Sequence, residues 1–238
     1  MRSDGSMKGE LRKELRARRR GLCAADHALY SNLAASSITR LPAFKPGARV
    51  AVYLPFDRET NTAALLIAAR RRRVRIYVPV IDSRRYARLR FYPLSGKTRR
   101  GVFGISIPHL AARRRTVAPR WLDLIVVPLV GIDGGGRRLG MGGGFYDRAL
   151  AFRRNRHHWR GPHLVGLAFE CQRAAAVYAQ AHDIRLDAVA TERGVRHFRR
   201  TPPLPTPTSD RNPQSDRNPQ SDRNPQSDRN PQSDKASP

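Results

Sequence analysis

Apolar residues along this chain arrive in short unbroken runs separated by arginine, glycine or proline, and those runs set the first expectations. ARVAVYLP at 48–55, VRIYVPVI at 74–81, LDLIVVPLV at 122–130 and LVGLAF at 164–169 have the length and β-branched content of buried strands. LRFYPL at 89–94 predicts a further strand, and RLDAVATE at 185–192 contains the start of a short one. Between them the patterning is helical. Residues 7–20 are rich in Leu, Arg, Lys and Glu, with Leu11 and Leu15 on a thin apolar stripe and Ser6 available as a cap. Further helices are predicted over 25–39, 61–73 and 146–153. Continuous apolar strands alternating with helices predict a mostly parallel sheet covered on both faces, an α/β fold. In such a sheet ligands bind outside the carboxyl ends of the strands. That rule gathers YLPFDRETNT, PLVGIDGGGRRLGMGGGFYDR and the stretch beyond LVGLAF into one crevice.

The pattern stops at about residue 200. TPPLPTPT at 201–208 reads as a semi-stiff linker, and SDRNPQ then repeats four times over 209–232 with no apolar residue in any unit. With nothing to bury against the entropy of ordering, residues 201–238 are expected to be a disordered tail on a single domain spanning 1–200. Each repeat is neutral, so the net charge of +27 belongs to the folded part. Such a charge attracts anions, whether nucleotide phosphates, nucleic acid, acidic metabolites or an anionic membrane, without choosing among them. Arginine far exceeds lysine throughout, a skew that a GC-rich genome also produces.

Cys23 and Cys171 stand far apart, which suggests neither a disulfide framework nor a zinc knuckle. LIVVPLVGI at 124–132 is too short to cross a bilayer, and the first residues have no apolar core of the signal-peptide kind. A cytoplasmic protein is the expectation. Met7 offers a second possible start after Met1.

The segment RRLGMGGGFYDR at 137–148 carries the strongest chemical signal. Gly140, Gly142, Gly143 and Gly144 are costly to order unless something approaches the main chain closely, and successive N–H groups there suit a phosphate. A Walker lysine and hydroxyl are missing, and the spacing is not the dinucleotide fingerprint. Asp147 fits either an acid at the start of a helix or a magnesium ligand, since magnesium takes one or two carboxylates plus substrate phosphates. Asp187 is the candidate second ligand, with Asp183, Asp133 and Glu192 as rivals that spacing does not eliminate. Glu59 is either a surface acid or a reader of a flat nitrogenous ring, with Leu54 and Phe56 as apolar walls. Lys8 and Arg12, one helical turn apart, fit a solvated basic face or a phosphate clamp. His157, His158 and His163 lack an accompanying acid or thiol at ligand spacing, so a polar loop is expected there.

Taken in order, Lys8 and Arg12, YLPFDRETNT, FGISIP at 103–108, DLIVVPLVGIDGGGRRLGMGGGFYDR at 123–148 and the late DAV resemble the 5-formyltetrahydrofolate cyclo-ligase family, from about Lys8 to Thr191. The resemblance implies a three-layer α/β sandwich. It also implies an ATP- and magnesium-dependent conversion of 5-formyltetrahydrofolate to 5,10-methenyltetrahydrofolate with release of ADP and phosphate. By the same resemblance Lys8 and Arg12 hold ATP phosphates, and Arg138, Leu139, Gly140, Met141, Gly142, Gly143, Gly144, Phe145 and Tyr146 form the ATP loop, with Arg138 and Tyr146 catalytic. Leu54, Glu59 and residues 141–145 meet the folate, and Asp147 and Asp187 hold magnesium. Some members carry lysine where this chain has Gly143, which leaves phosphate charge to Arg137, Arg138, Lys8 and Arg12. The basic body also favours folates with acidic polyglutamate tails.

Two other classes compete. A basic RNA-binding protein would interleave exposed aromatics with its cations, yet Tyr53, Tyr77 and Phe91 fall within apolar strands. Weak non-specific binding to nucleic acid is expected from the charge alone, and no membrane partner is expected. A nucleotide-binding regulator that kept the fold without turnover is the third class.

Overall fold

The computed structural model describes residues 4–83, 88–94, 98–100, 106–108, 116–154 and 161–198. The repeat tail, His157, His158 and the first half of FGISIP lie outside these residues. Helices α1 (Asp4–Arg20) and α2 (Ala24–Thr39) precede strand β1 (Arg49–Ala51), helix α3 (Ala63–Arg71) and strands β2 (Arg75–Ser83) and β3 (Arg88–Pro93). Two short strands, β4 (Thr98–Arg100) and β5 (Ser106–Pro108), pair with each other. Then come β6 (Leu124–Pro128), the hairpin β7 (Gly131–Ile132) and β8 (Arg138–Leu139), helix α4 (Phe145–Ala149), and strands β9 (His163–Leu167), β10 (Ala188–Thr191) and β11 (Gly194–His197).

The main sheet has seven strands in the order β11-β10-β9-β6-β1-β2-β3. Its five inner strands run parallel, and the edge strands β3 and β11 run antiparallel to their neighbours. The mostly parallel sheet expected from the apolar runs is therefore present. β6 sits at its centre with four of its five residues buried, as a strand covered on both faces requires.

On one face α2 and α3 pack Ile38 and Leu65 against Val50, Val126 and Val165. The other face buries Phe91, Ile125, Val127 and Leu164 beneath Leu150, Ile184 and Leu186. This gives the three layers, although the second cover is mostly a short helix and irregular chain. α1 packs separately, with Leu15 fully buried beside Val130, Leu139 and Val177. Burying that leucine contributes about 2 kcal/mol. A Cβ on Gly131 would collide with Leu15 Cδ1, so a larger residue here would displace the Leu15 side chain from its seat.

Several boundaries differ from the sequence expectation. α1 begins at Asp4, ahead of the cap expected at Ser6. The strand expected over 48–55 keeps ladder pairing only across Arg49–Ala51, because the chain beyond it turns into a loop at Asp57 and Arg58, both with positive φ. The β7–β8 hairpin and β11 were not expected: the first lies inside the glycine-rich stretch, and the second is only four residues long.

Candidate active site

The carboxyl ends of β1, β2 and β6 open into a cleft of about 950 Å³. Lys8 and Arg12 from α1, the loop after β1, the end of β2, residues 138–147 and the segment around Asp183 all line it. Every residue placed in the ATP loop or against the folate by the family resemblance lines this one space: Leu54, Glu59, Arg138, Leu139, Gly140, Met141, Gly142, Gly143, Gly144, Phe145 and Tyr146.

The glycine-rich loop is built by the β7–β8 hairpin, which delivers Arg138 and Leu139 as buried residues and then releases the chain. Gly142 has φ of +101° and Gly144 of +59°, values that side-chain-bearing residues rarely adopt. The loop is tied on both sides. Arg12 Nε donates to the Gly140 carbonyl at 2.9 Å, and the Arg148 guanidinium donates to the Gly143 carbonyl at 2.5 Å while lying over the Phe145 ring. That ring occupies the space a Gly143 side chain would enter, with ring carbons 2.4 and 2.8 Å from an added Cβ. Arg137, expected to share phosphate charge, is exposed and does not line the cleft.

Two cations of the cleft are paired with carboxylates. Arg138 donates to Asp147 Oδ1 at 2.7 Å with both side chains nearly buried. Asp147 Oδ1 also accepts the Ile184 amide at 2.9 Å, so this carboxylate joins the glycine loop to the segment that carries Asp183. Lys8 Nζ lies 3.8 Å from Asp183 Oδ2, which also accepts the Gln180 amide.

Asp187, expected as the second metal ligand, lies elsewhere. It precedes β10 at the amino end of the sheet, takes two hydrogen bonds from Arg153 at 2.8 and 2.9 Å, and accepts the Leu164 amide. Burial pushes its carboxyl up, but the Arg153 hydrogen bonds and charge more than offset that and hold it below the ordinary range. Both oxygens are committed to structural bonds away from the cleft, which corrects the sequence expectation. Asp183, one of the rivals, is the acid that the fold brings beside Asp147. Asp133 instead caps its own turn through the Gly135 and Arg137 amides, and Glu192 accepts the Glu170 amide.

Glu59 lines the same cleft from the loop after β1. Burial raises its carboxyl from 4.5 to about 7, partly countered by the Phe56 amide on Oε2 and the positive charge of Arg19. The residue before α3 is Thr62, whose hydroxyl donates to the Tyr53 carbonyl, and Asn61 Oδ1 accepts the Ala63 amide at 2.8 Å at the helix start. The Tyr146 hydroxyl is buried without a hydrogen-bond partner, and burial and the Glu59 charge raise its pKa. Arg138 stacks over the same ring at 5.8 Å.

One feature escaped the sequence reading. Asp57, between Leu54 and Glu59, is gripped by three arginines of α1: Arg16 at 2.7 Å, Arg20 at 2.5 Å, and the fully buried Arg19, which also donates to the Asp57 carbonyl at 2.7 Å. The helix that carries Lys8 and Arg12 is thereby fastened to the loop that carries Glu59. The sequence held a trace of this, arginines at i, i+3 and i+4 followed much later by a lone Asp between apolar and charged residues, but nothing to pair them.

Comparisons with known proteins agree with this geometry. The model of the 5-formyltetrahydrofolate cyclo-ligase family matches residues 4–192. The 5-formyltetrahydrofolate cyclo-ligase of Escherichia coli K12 is 34% identical over 178 residues, 74% of this chain and 96% of that protein. Its counterpart in Haemophilus influenzae is 31% identical over 189 residues, covering 76% of this chain and 97% of that protein. Among solved structures, the 5,10-methenyltetrahydrofolate synthetase of Aquifex aeolicus superposes with a TM-score of 0.67 at 28% identity, covering 86% of this chain and 99% of that one.

Proposed function

The chain belongs to the 5-formyltetrahydrofolate cyclo-ligase family, and from that premise we propose that its cleft converts 5-formyltetrahydrofolate to 5,10-methenyltetrahydrofolate while ATP becomes ADP and phosphate. The observation that carries the proposal is convergence. One cleft holds a glycine loop, three cations, two carboxylates and a largely buried third carboxyl, Glu59, with apolar residues.

The formyl oxygen is a poor leaving group until it is phosphorylated. Transfer of the γ-phosphoryl to that oxygen makes an imidate phosphate; N10 then bonds to the formyl carbon, the C–O bond breaks, phosphate carries the oxygen away and the N10 proton is lost. Catalysis of such a sequence is mainly positioning and charge neutralisation. Lys8, Arg12 and Arg138 supply the positive charge, and the loop of residues 138–146 presents backbone amides to the nucleotide. Arg138 and the unpartnered Tyr146 hydroxyl face the transferring group as charge and hydrogen-bond donor. Leu54 and residues 141–145 enclose the folate, and Glu59 accepts from the donor edge of its pterin.

Magnesium fits the residues present. Asp147 and Asp183 line the same cleft, and among the described residues Asp147 Oδ2 has no hydrogen-bond or ion-pair partner, while Oδ1 is fixed by Arg138 and Ile184. Two carboxylates with substrate phosphates are a usual magnesium donor set. The ion would screen the phosphate charge when bound. The strong positive charge also favours polyglutamylated folates as substrates.

The test is product stoichiometry. Purified chain given 5-formyltetrahydrofolate, ATP and magnesium should form the methenyl chromophore and ADP in equal amounts. Folded, ATP-binding protein that forms no chromophore, or that makes ADP at the same rate without folate, would contradict the proposal.

A further inference from the structure

The end of the sheet opposite the cleft presents arginines of a different kind. α2 and α3 both finish there, and β1 and β2 both begin there, with Arg49 beside Arg75 in the parallel register. Arg40, Arg71, Arg72, Arg73 and Arg75 are all exposed at this edge. Several are held in place by uncharged acceptors: Arg72 donates to the Thr39 carbonyl at 2.5 Å, Arg75 to the Gly47 carbonyl at 2.9 and 3.0 Å, and Arg40 to the Ser36 and Ser37 hydroxyls at 3.0 Å. Among the described residues, no carboxylate side chain forms an ion pair with any of them. Asp123, at the start of the segment entering β6 here, uses Oδ2 on the Arg49 backbone amide.

Negative helix ends explain arginines at the close of α2 and α3. They do not explain Arg73 and Arg75, which lie beyond the helix, and the crowded cations repel one another until a counter-charge arrives. The segment that enters β6 at the same edge adds Trp121, 49% exposed, with the Arg120 guanidinium 5.8 Å from its ring centre. Asp123, two residues on, donates its amide to the Arg49 carbonyl and so ties this segment to the arginine field.

From this juxtaposition we propose that the amino edge of the sheet is a binding surface for single-stranded nucleic acid, with the arginines tracking the phosphates and Trp121 stacking on a base. Guanidiniums oriented by neutral acceptors keep their remaining N–H groups for phosphate oxygens, and an aromatic face accepts any base. An anionic membrane fits less well. Among the described exposed large hydrophobics, only Trp121 lies on a segment entering the sheet here, too little apolar area for insertion. The surface is separate from the cleft, so the proposal does not depend on the cyclo-ligase reaction.

The experiment is fluorescence anisotropy with the full chain and labelled uridine and thymidine homopolymers of about 20 nucleotides, a length exceeding one small binding module. Arms include a duplex of the same length, a salt series, and competition by vesicles of phosphatidylcholine with phosphatidylserine. Affinity should fall steeply with salt. The triple variant Arg71→Glu, Arg73→Glu, Arg75→Glu should bind at least tenfold more weakly, and Trp121→Ala should lose about fivefold or more on single strands, the lower end for one stacked base. An Arg→Gln triple at the same positions should weaken binding less. All these variants should retain circular dichroism and folate turnover, since none lies in the cleft. A preference for RNA or DNA would identify the strand. Wild-type affinity in the folded triple variants, equal binding of duplex with no effect of Trp121→Ala, or displacement by the vesicles would each overturn the proposal.

Discussion

The two ends of the seven-stranded sheet treat charge in opposite ways. At the carboxyl end Lys8 and Arg138 face the carboxylates of Asp183 and Asp147, while Arg12 donates to the Gly140 carbonyl. At the amino end the exposed arginines meet carbonyls and hydroxyls, and the largely buried pair Arg153–Asp187 ties the start of β10 to the start of β9. Matched charge in a concave, partly buried site can be exchanged for a ligand's charge with little rearrangement. Unmatched charge on an edge can only attract. The difference assigns chemistry to one end, and stability and association to the other.

The largest effect expected from breaking this division is at Asp147. Asp147→Ala should lower turnover about a thousandfold, the scale for removing a fixed electrostatic group at a transferring phosphoryl. Steady-state kinetics on protein shown folded by circular dichroism would check it.

Glu59→Gln comes next, with kcat/KM for the folate falling about 10–100-fold, the scale of one charge-assisted hydrogen bond, mostly through KM. The same variant should gain stability. Burial raises the Glu59 pKa from 4.5 to about 7, so the fold favours the neutral acid. The stabilising proton is fully bound below pH 4.5, and its contribution is lost as pH rises through about 7. Glutamine mimics the neutral form, so at pH 8 the variant should be more stable by up to about 3 kcal/mol, and below pH 4.5 the two should converge. Denaturation at both pH values reads this directly.

At the other end, Asp187→Asn should destabilise by about 2–3 kcal/mol, because Arg153 loses its counter-charge in a largely buried setting, while kcat of the folded fraction stays within about twofold. The pair's contribution is present above the ordinary carboxylate range and is lost as pH falls through the depressed value of Asp187. The smallest effect is expected from Asp57→Asn. Asparagine tolerates the positive φ but gives up the charge that holds Arg16, Arg19 and Arg20, so stability should drop about 1–2 kcal/mol and the folate KM should rise a few-fold. Melting curves beside KM values would show both.

These contrasts also mark what the sequence made legible. The buried strands announced themselves because β6 and β9 are apolar on both faces, and the glycine run disclosed the loop because left-handed backbone at Gly142 and Gly144 leaves a compositional trace. Asp187 was misplaced because it and Asp183 stand four residues apart in HDIRLD, and only the fold reveals that one faces the cleft while the other faces Arg153. Trp121 was not singled out, since a tryptophan preceding an apolar strand looks like core until its exposure is known. The grip of α1 on Asp57 joins residues about 40 apart and has no local signature.

The most direct test of the division is hydrogen–deuterium exchange of the full chain with and without 5-formyltetrahydrofolate and a non-hydrolysable ATP analogue. The account predicts slowed exchange in residues 54–59 and 138–147, with residues 70–75 and 185–188 unchanged. Protection centred on the amino edge, or none in the two cleft loops when both ligands are bound, would contradict it.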